Sequence, residues 1–450
     1  MALSSSPFAV RPPLAPLSRR ALIALAALTA GSLAACSGKP PRPSIGGEAL
    51  IGSVARTAVP VSQVPDLAAA VAACDTLGAA ALTAQLADGA HANALVSPAS
   101  LGLSLAAAAL GATDPAAQGL NTGLGCADEP TRNTTWSAIQ NALLAYDGDP
   151  ASFDASTKAP EKPLLHVAYQ LLVIEDGESA VAQEFIDGVG QWFSADLRRC
   201  SPGEAHGVLS EWSRLHTGGL IEESAITRTD PGFVIQNAVL FAARWAAMFE
   251  ESSTHGQDFT LPDGTVVQVP MMHQSSHMTC TMGSSGDSGW KVLRVPYTDG
   301  FALDIILPDA GLLPESLPAD TWARATALLD EADGEGISPT VRLALPRIDV
   351  TTPGGGLDVL AMLDGLGINV VPMDRAGTGL VTDEYRQQVR LLVQEDGTKA
   401  AAVSEQHVGV SAPNPGETTD FIVDRPYAMR LRHLSTGLSL FEAIINDPRG

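Results

Sequence analysis

Several groups of residues in the 450-residue sequence have types and spacings that could do chemistry. Gly286, Asp287, Ser288 and Gly289 have the form of a turn that presents a nucleophilic serine. That chemistry needs a histidine base, a buried acid to orient it, and backbone donors beside the serine. Trp290 stands where a second glycine would be expected, and no histidine lies in a matching context, so the segment is predicted to be a polar turn. His273 and His277 have the spacing of two metal ligands on one helix face, but no glutamate of the zinc-protease pattern lies between them and their neighbours read as strand and turn. No metal is expected there. Gly354, Gly355 and Gly356 follow Pro353 without the lysine of a phosphate loop, so a connection is expected and no cofactor is implied. Cys74, Cys126, Cys200 and Cys280 lack the short spacing of a zinc site. In an exported chain they allow three disulfide pairings, with free buried thiols as the equal alternative.

The stretch after Val393 is the most informative. Gln394, Glu395, Asp396 and Gly397 make an acidic turn, followed by Thr398, Lys399, Ala400, Ala401, Ala402, Val403 and Ser404. These small residues are poorly capped for a surface helix. Were they to become a strand, alternate residues would face opposite sides. Thr398, Ala400, Ala402, Ser404, Gln406 and Val408 would share one side, and every formally charged residue would fall on the other. The first side could therefore be buried without an unpaired charge; a flexible alanine-rich loop, which composition alone favours, is the alternative.

The elements that must position this stretch are read from periodicity. Helices are predicted over 66–86, 97–111, 135–145, 180–194, 204–216, 319–331 and 357–364. Ser97, Pro98 and Gly111 punctuate the second of these. Strands are predicted over 166–174, 233–245, 266–271, 292–295, 301–307, 341–345, 389–393, 421–433 and 437–445, the first two apolar enough to be buried on both faces. Without a repeat or regular strand-helix alternation, the class is α+β in one large domain spanning residues 61–450.

Residues 1–35 read as a processing signal. Arg11, Arg19 and Arg20 precede the apolar run Ala21 to Ala30, and the segment closes on Leu33, Ala34, Ala35 and Cys36. This resembles a bacterial lipoprotein signal, which makes Cys36 the expected lipidated first residue of an exported envelope protein facing the periplasm or the extracellular space. An ordinary secretory signal is the alternative. Residues 36 to about 60 carry Pro40, Pro41, Pro43, Gly46 and Gly47 and are expected to be a flexible tether. Removing residues 1–35, with three arginines and no acid, moves the formal charge from −23 to −26. Such acidity argues against nucleic acid and anionic membrane surfaces as partners, leaving a membrane contact only through the lipid.

At this point the chain resembles the serpin family over almost all of residues 65–450. Asn93, Ser97, Pro98, Ser100, Gly111 and Ala112 look like the opening of that family's second helix. Thr217, Gly219 and Ile221 are similar to its signature after a later helix. Asn237, Ala238, Phe241, Trp245 and Phe249 resemble its central strand. Thr254, Phe259, Val269, Met271, Met272, Pro296, Tyr297, Leu307, Pro308, Leu345 and Pro346 follow in the family's order. Glu395, Gly397, Thr398, Ala400, Ala401 and Ala402 resemble the hinge. Phe421, Asp424, Arg425, Pro426, Tyr427, Leu440, Phe441, Asn446 and Pro448 resemble the closing signature.

The resemblance implies a main β-sheet, further sheets, surrounding helices and an exposed reactive loop over about 397–425. It implies a monomeric, non-enzymatic inhibitor of serine-type endopeptidases. The target protease attacks the loop and forms a covalent acyl complex, and the cut loop inserts into the main sheet. Ser97, Ser100, Asn237, Trp245 and Gln387 fall in the region that controls sheet opening. Gln387 stands where the family commonly has histidine, with Asn237 and Ser97 as expected neighbours. Counting from the hinge puts the cut after Ser411, and counting back from Pro426 puts it after Pro415, so the loop is about four residues longer than common. Proline after a scissile bond disfavours cuts before Pro413 or Pro415. Ser411–Ala412 is the expected bond and Val410–Ser411 the second choice, small residues that suit elastase-like or subtilisin-like proteases. A non-inhibitory binding or scaffold protein of the same fold is the alternative, disfavoured by the alanine-rich hinge.

Overall fold

The computed structural model describes residues 45–87, 92–154, 157–175, 181–370, 372–398 and 418–450. Helices α1 (Leu67–Ala87), α2 (Pro98–Ala108), α3 (Ala116–Gly123) and α4 (Glu129–Leu143) come first. Helices α5 (Gln183–Trp192) and α6 (Pro202–His216) lie between strands of the main sheet, and α7 (Thr321–Gly334) and α8 (Val359–Gly365) follow later. Their starts have chemical causes. Pro98 occupies the first turn of α2 behind Ser97. Asp128 Oδ1 accepts the Thr131 N–H at the head of α4, and Ser201 with Glu204 forms a reciprocal capping box on α6. Every residue of α2 is buried. A Cβ on Gly102 would stand 2.1 Å from the Trp136 ring, so a glycine there is what lets α4 lie against α2.

The main sheet runs, in spatial order, β1 (Glu48–Ala49), β4 (Asp196–Cys200), β3 (Leu164–Ile174), β5 (Gly232–Arg244), β16 (Gly397–Thr398), β15 (Arg390–Gln394) and β12 (Ile348–Thr351). Strand β14 (Thr382–Gln387) also pairs with β5, and β13 (Leu357–Asp358) with β14. Strands β3 and β5 are antiparallel from Leu164 opposite Ala242 to Ile174 opposite Gly232. Both are long apolar runs because both faces are covered. A second sheet orders β2 (Ala94–Val96), β19 (Leu438–Ile445), β18 (Tyr427–His433), β10 (Phe301–Pro308), β9 (Ser288–Pro296) and β8 (Thr279–Ser285). A third orders β17 (Thr418–Ile422), β11 (Thr340–Pro346), β7 (Val266–His277) and β6 (His255–Thr260). One large apolar core joins α1, α2 and residues of all three sheets. The result is the expected α+β arrangement.

Three expectations change. The strand predicted over 421–433 is two strands, because Pro426 offers no N–H to a ladder and the chain leaves β11 before joining β10. The strand predicted over 266–271 continues to His277, its polar end held by pairing with Thr340 to Ala344. The described part of the expected tether, residues 45–60, lies against the body. There β1 pairs with β4, and the Thr57 N–H bonds the Gln191 carbonyl at 2.7 Å. The cause is backbone pairing and local polar contacts, which leave no periodic signal.

Candidate functional site

Strand β15 leads into the acidic turn, and the chain comes back as the two-residue strand β16, which lies between β5 and β15 and is antiparallel to both. Gly397 is level with Arg244 on one side and Gln394 on the other, and Thr398 with Ala243 and Val393. A Cβ on Gly397 would stand 2.0 Å from the Ala243 carbonyl oxygen, so only glycine fits this approach. Thr398 is 1% exposed, and its hydroxyl hydrogen-bonds the Tyr297 hydroxyl. Burial pushes the Tyr297 phenol up, keeping it a neutral partner.

The turn before β16 is held from several directions. Glu395 is buried at 5% exposure, yet its Oε1 accepts from Arg347 Nε at 2.7 Å and from the Thr254 hydroxyl at 2.5 Å. Its carbonyl accepts the Phe249 N–H at 2.9 Å. Asp396 Oδ2 accepts the Ala159 N–H at 2.8 Å. The Trp245 indole donates to the Gln394 carbonyl at 2.8 Å, and the ring stacks on Tyr297 with centroids 4.2 Å apart. A buried carboxylate is tolerable only with such partners.

Further along the same seam, β14 runs parallel to β5, with Gln387 level with Asn237. Through Gly397, Gln394 and Arg244 stand level in the same register. From Asn237 with Gln387 to Arg244 with Gln394 the two banks therefore advance by the same seven residues, the one register irregularity lying lower, between Thr382 and Glu384. Gln387 bridges to the head of α2, accepting the Ser97 N–H at 2.9 Å and donating to the Ser97 carbonyl at 3.0 Å. Asn237 instead donates to Ser104 at 3.2 Å and Tyr385 at 3.1 Å, and those two hydroxyls bond each other. Ser97 Oγ, Ser100 Oγ and Asn237 Oδ1 are buried and find no hydrogen-bond partner among the described residues. Orphans of this kind cost roughly 1–3 kcal/mol each.

The sequence profile of the family described as serpin (serine protease inhibitor) matches residues 74–448. The chain belongs to the serpin family. Human glia-derived nexin is 27% identical over 57% of this chain and 67% of its own length. A serpin-like protein of Thermococcus kodakarensis is 26% identical over 73% of this chain and 79% of its own. The native-state structure of tengpin, a thermophilic serpin, superposes with a TM-score of 0.71 at 20% identity, covering 90% of this chain and all of that one. The serpin fold thus accounts for the three sheets, and the family is one of protease inhibitors.

Of the serpin site residues expected from sequence, Glu395, Gly397 and Thr398 come together at the hinge, whereas Ser97, Ser100, Asn237 and Gln387 gather lower on the seam. Trp245 belongs with the hinge and not with the latter group. It follows Arg244, the last residue of β5, eight residues from Asn237, or about 26 Å along a strand. Asn237 is level with Gln387 but bonds Ser104 and Tyr385, while the Gln387 amide is taken up on both its atoms by the Ser97 backbone. Ala400, Ala401, Ala402, Val410, Ser411, Ala412 and Cys36 lie outside the described residues. Arg347, as partner of Glu395, and Ser104 and Tyr385, beneath the seam, were missed. Each is a contact distant in sequence, and only Tyr385, an apolar-bodied residue in a charged stretch, offered a local hint.

The other chemistry-bearing groups are placed as well. Ser288 opens β9 across a tight turn from Ser285, with Gly286 at φ 60°, so this is a hairpin turn. His273 lies on β7 and stacks on His255 with centroids 4.5 Å apart, while His277 bonds the Ser338 carbonyl at 3.0 Å. Cys74, Cys126, Cys200 and Cys280 are free thiols. Burial pushes the last three up to about 11.

Proposed function

We propose that this serpin inhibits serine-type endopeptidases by offering the segment between Thr398 and Thr418 as bait and, once it is cut, inserting its N-terminal part between β5 and β15. One observation carries the reading: β16 already occupies the first position of that slot, paired on both sides. Thr398 points to the buried side, so Ala400, Ala402, Ser404, Gln406 and Val408 would follow it into the core on alternation alone. Lys399, Glu405 and His407 would take the other face. The roughly fifteen residues from hinge to cut could extend over about 50 Å, the length that carrying an attached protease along the sheet requires.

The inhibitor contributes no catalytic group. The protease serine oxygen bonds the carbonyl carbon of Ser411, the Ser411–Ala412 peptide bond breaks, and the new amine of Ala412 leaves with a proton. Insertion before water arrives would trap this ester. The small residues at the cut favour elastase-like or subtilisin-like enzymes, and the prolines at 413 and 415 disfavour cuts directly before them. The protein would act as a monomer, exported and held at the envelope by a lipid on Cys36.

The test is incubation with elastase-like and subtilisin-like proteases, followed by denaturing electrophoresis. A band at the summed mass of protease and serpin less its C-terminal peptide is expected, with that peptide, beginning at Ala412, running separately. Cleavage without such a band across a broad panel would make the chain a substrate or carrier and defeat this reading.

A further inference from the structure

The segment Ile45–Val64, expected as part of a free tether and a domain edge, instead binds the main sheet and three helices. Ile45 packs against both small apolar clusters beneath α6. One contains Leu172, Val208 and Leu209, and the other is Ala168, Trp212 and Ala238. From β4, Arg198 Nη1 donates to the carbonyls of Ile45 and Gly46 at 3.1 and 2.9 Å. The Gly46 N–H reaches Glu211 Oε2 on α6 at 3.4 Å. Farther on, the Ser53 N–H bonds Asp187 of α5 at 2.7 Å, and Arg56 Nη2 donates to Gln140 and Asn141 of α4 at 2.9 and 2.7 Å.

What α6 does gives this its consequence. Gln236 of β5 donates to the Leu209 carbonyl of α6 at 3.1 Å and accepts from the Ser213 hydroxyl at 3.3 Å. The chain leaving α6 is bonded to the opposite bank of the seam. There the Ala225 N–H meets Gln388 Oε1 at 2.7 Å, the Arg228 N–H meets Glu384 Oε2 at 3.0 Å, and Arg390 Nη1 meets the Leu220 carbonyl at 3.4 Å. Helix α6 and its exit therefore bridge the slot between β5 and β14–β15. A strand entering there must part these bonds, and whatever fixes α6 to the sheet opposes it.

We propose that Ile45–Val64 is a clasp that pins α6 to the sheet and sets how readily the seam admits a further strand. The consequence for insertion rests on the inhibitory reading above; the hold on α6 does not. Two full-length variants test it in opposite directions. Ile45→Asp places a charge in the apolar space beneath α6. The pair Gly46→Cys and Val208→Cys, in a Cys200→Ser background, permits a disulfide between clasp and helix, since a Cβ on Gly46 would stand 3.3 Å from Val208 Cγ2.

The measurements are amide exchange of α6 in the intact protein and the rate at which warmed, uncut protein becomes heat-resistant and unreactive towards protease. Ile45→Asp is expected to raise α6 exchange and to speed conversion, each at least about five-fold. The oxidised cross-link is expected to slow conversion below the wild-type rate, and reduction to restore it. Unchanged α6 exchange in Ile45→Asp, or wild-type conversion with the cross-link closed, overturns the clasp. Failure of the insertion reading has its own signature: the wild-type chain gains no heat resistance when its loop is cut. The exchange result then still decides whether the segment holds α6.

Discussion

Glu395 shows at the scale of one residue how the hinge is built. Its carboxylate is buried because Arg347 and Thr254 reach it, so removing the arginine leaves a charge with half its support. Arg347→Ala is expected to lower stability by about 1–3 kcal/mol in urea unfolding, less than for a fully buried pair because Arg347 itself is partly in solvent. Gln387→Leu removes both bonds to Ser97 and strands a buried N–H and carbonyl, an expected loss of about 2 kcal/mol by the same measurement. Thr398→Arg would put a charge where the hydroxyl now meets Tyr297. It is expected to turn inhibitor into substrate, read as cleavage with almost no covalent complex; an unchanged yield of complex would contradict entry of this residue into the sheet. The face that Thr398 presents was legible because strand alternation needs only the local sequence. The partnership of Glu395 with Arg347 was not, because nothing near either residue marks a contact spanning 48 positions.

Among the elements, β3 and β5 could be read from sequence because both of their faces are apolar, and α6 because Ala205, Val208, Leu209 and Trp212 recur on one face, although its capped start at Ser201 and Pro202 was not read. Strands β4 and β14 escaped. Asp196, Arg198 and Arg199 in the one, and Asp383, Glu384 and Arg386 in the other, give them no apolar pattern, and pairing to a long neighbour makes them strands. The end of α6 carries a pH dependence. His216 packs on Trp212, and its Nδ1 meets His166 Nε2 at 2.8 Å, while His166 Nδ1 meets Asp147 at 2.6 Å. Burial, with His166 and Arg198 nearby, lowers His216 to about 3. Between that value and about 6.5 the unfolded chain binds the proton and the folded one does not, so stability is present above 6.5 and is lost as pH falls. His216→Phe keeps the packing and removes the titration. Over pH 6.5 to 4 its urea midpoint should fall less steeply than that of the wild type, by about 1–3 kcal/mol in total; parallel curves would place the acid sensitivity elsewhere.

For the whole molecule, the class and the order of elements followed from patterning, and the proposed bait is placed by the polar-to-small transition after Val393 together with the family resemblance. What patterning could not reach was the use of residues 45–64, since backbone pairing and side-chain contacts to distant helices leave no period in the sequence. The acidity also belongs to this scale: at a formal charge of −23, association with a basic protease should slow as salt rises from low to physiological strength. On the inhibitory proposal, the slot between β5 and β15 is filled by this chain's own loop once that loop is cut. The most direct measurement is thermal unfolding of the wild-type protein before and after its loop is cut by a protease that leaves the rest intact. Insertion adds a full central strand, so the cut protein should unfold at least about 15 °C higher, and Thr398→Arg should forfeit most of that gain. A cut wild-type chain that unfolds at the same temperature as the intact one would contradict the account.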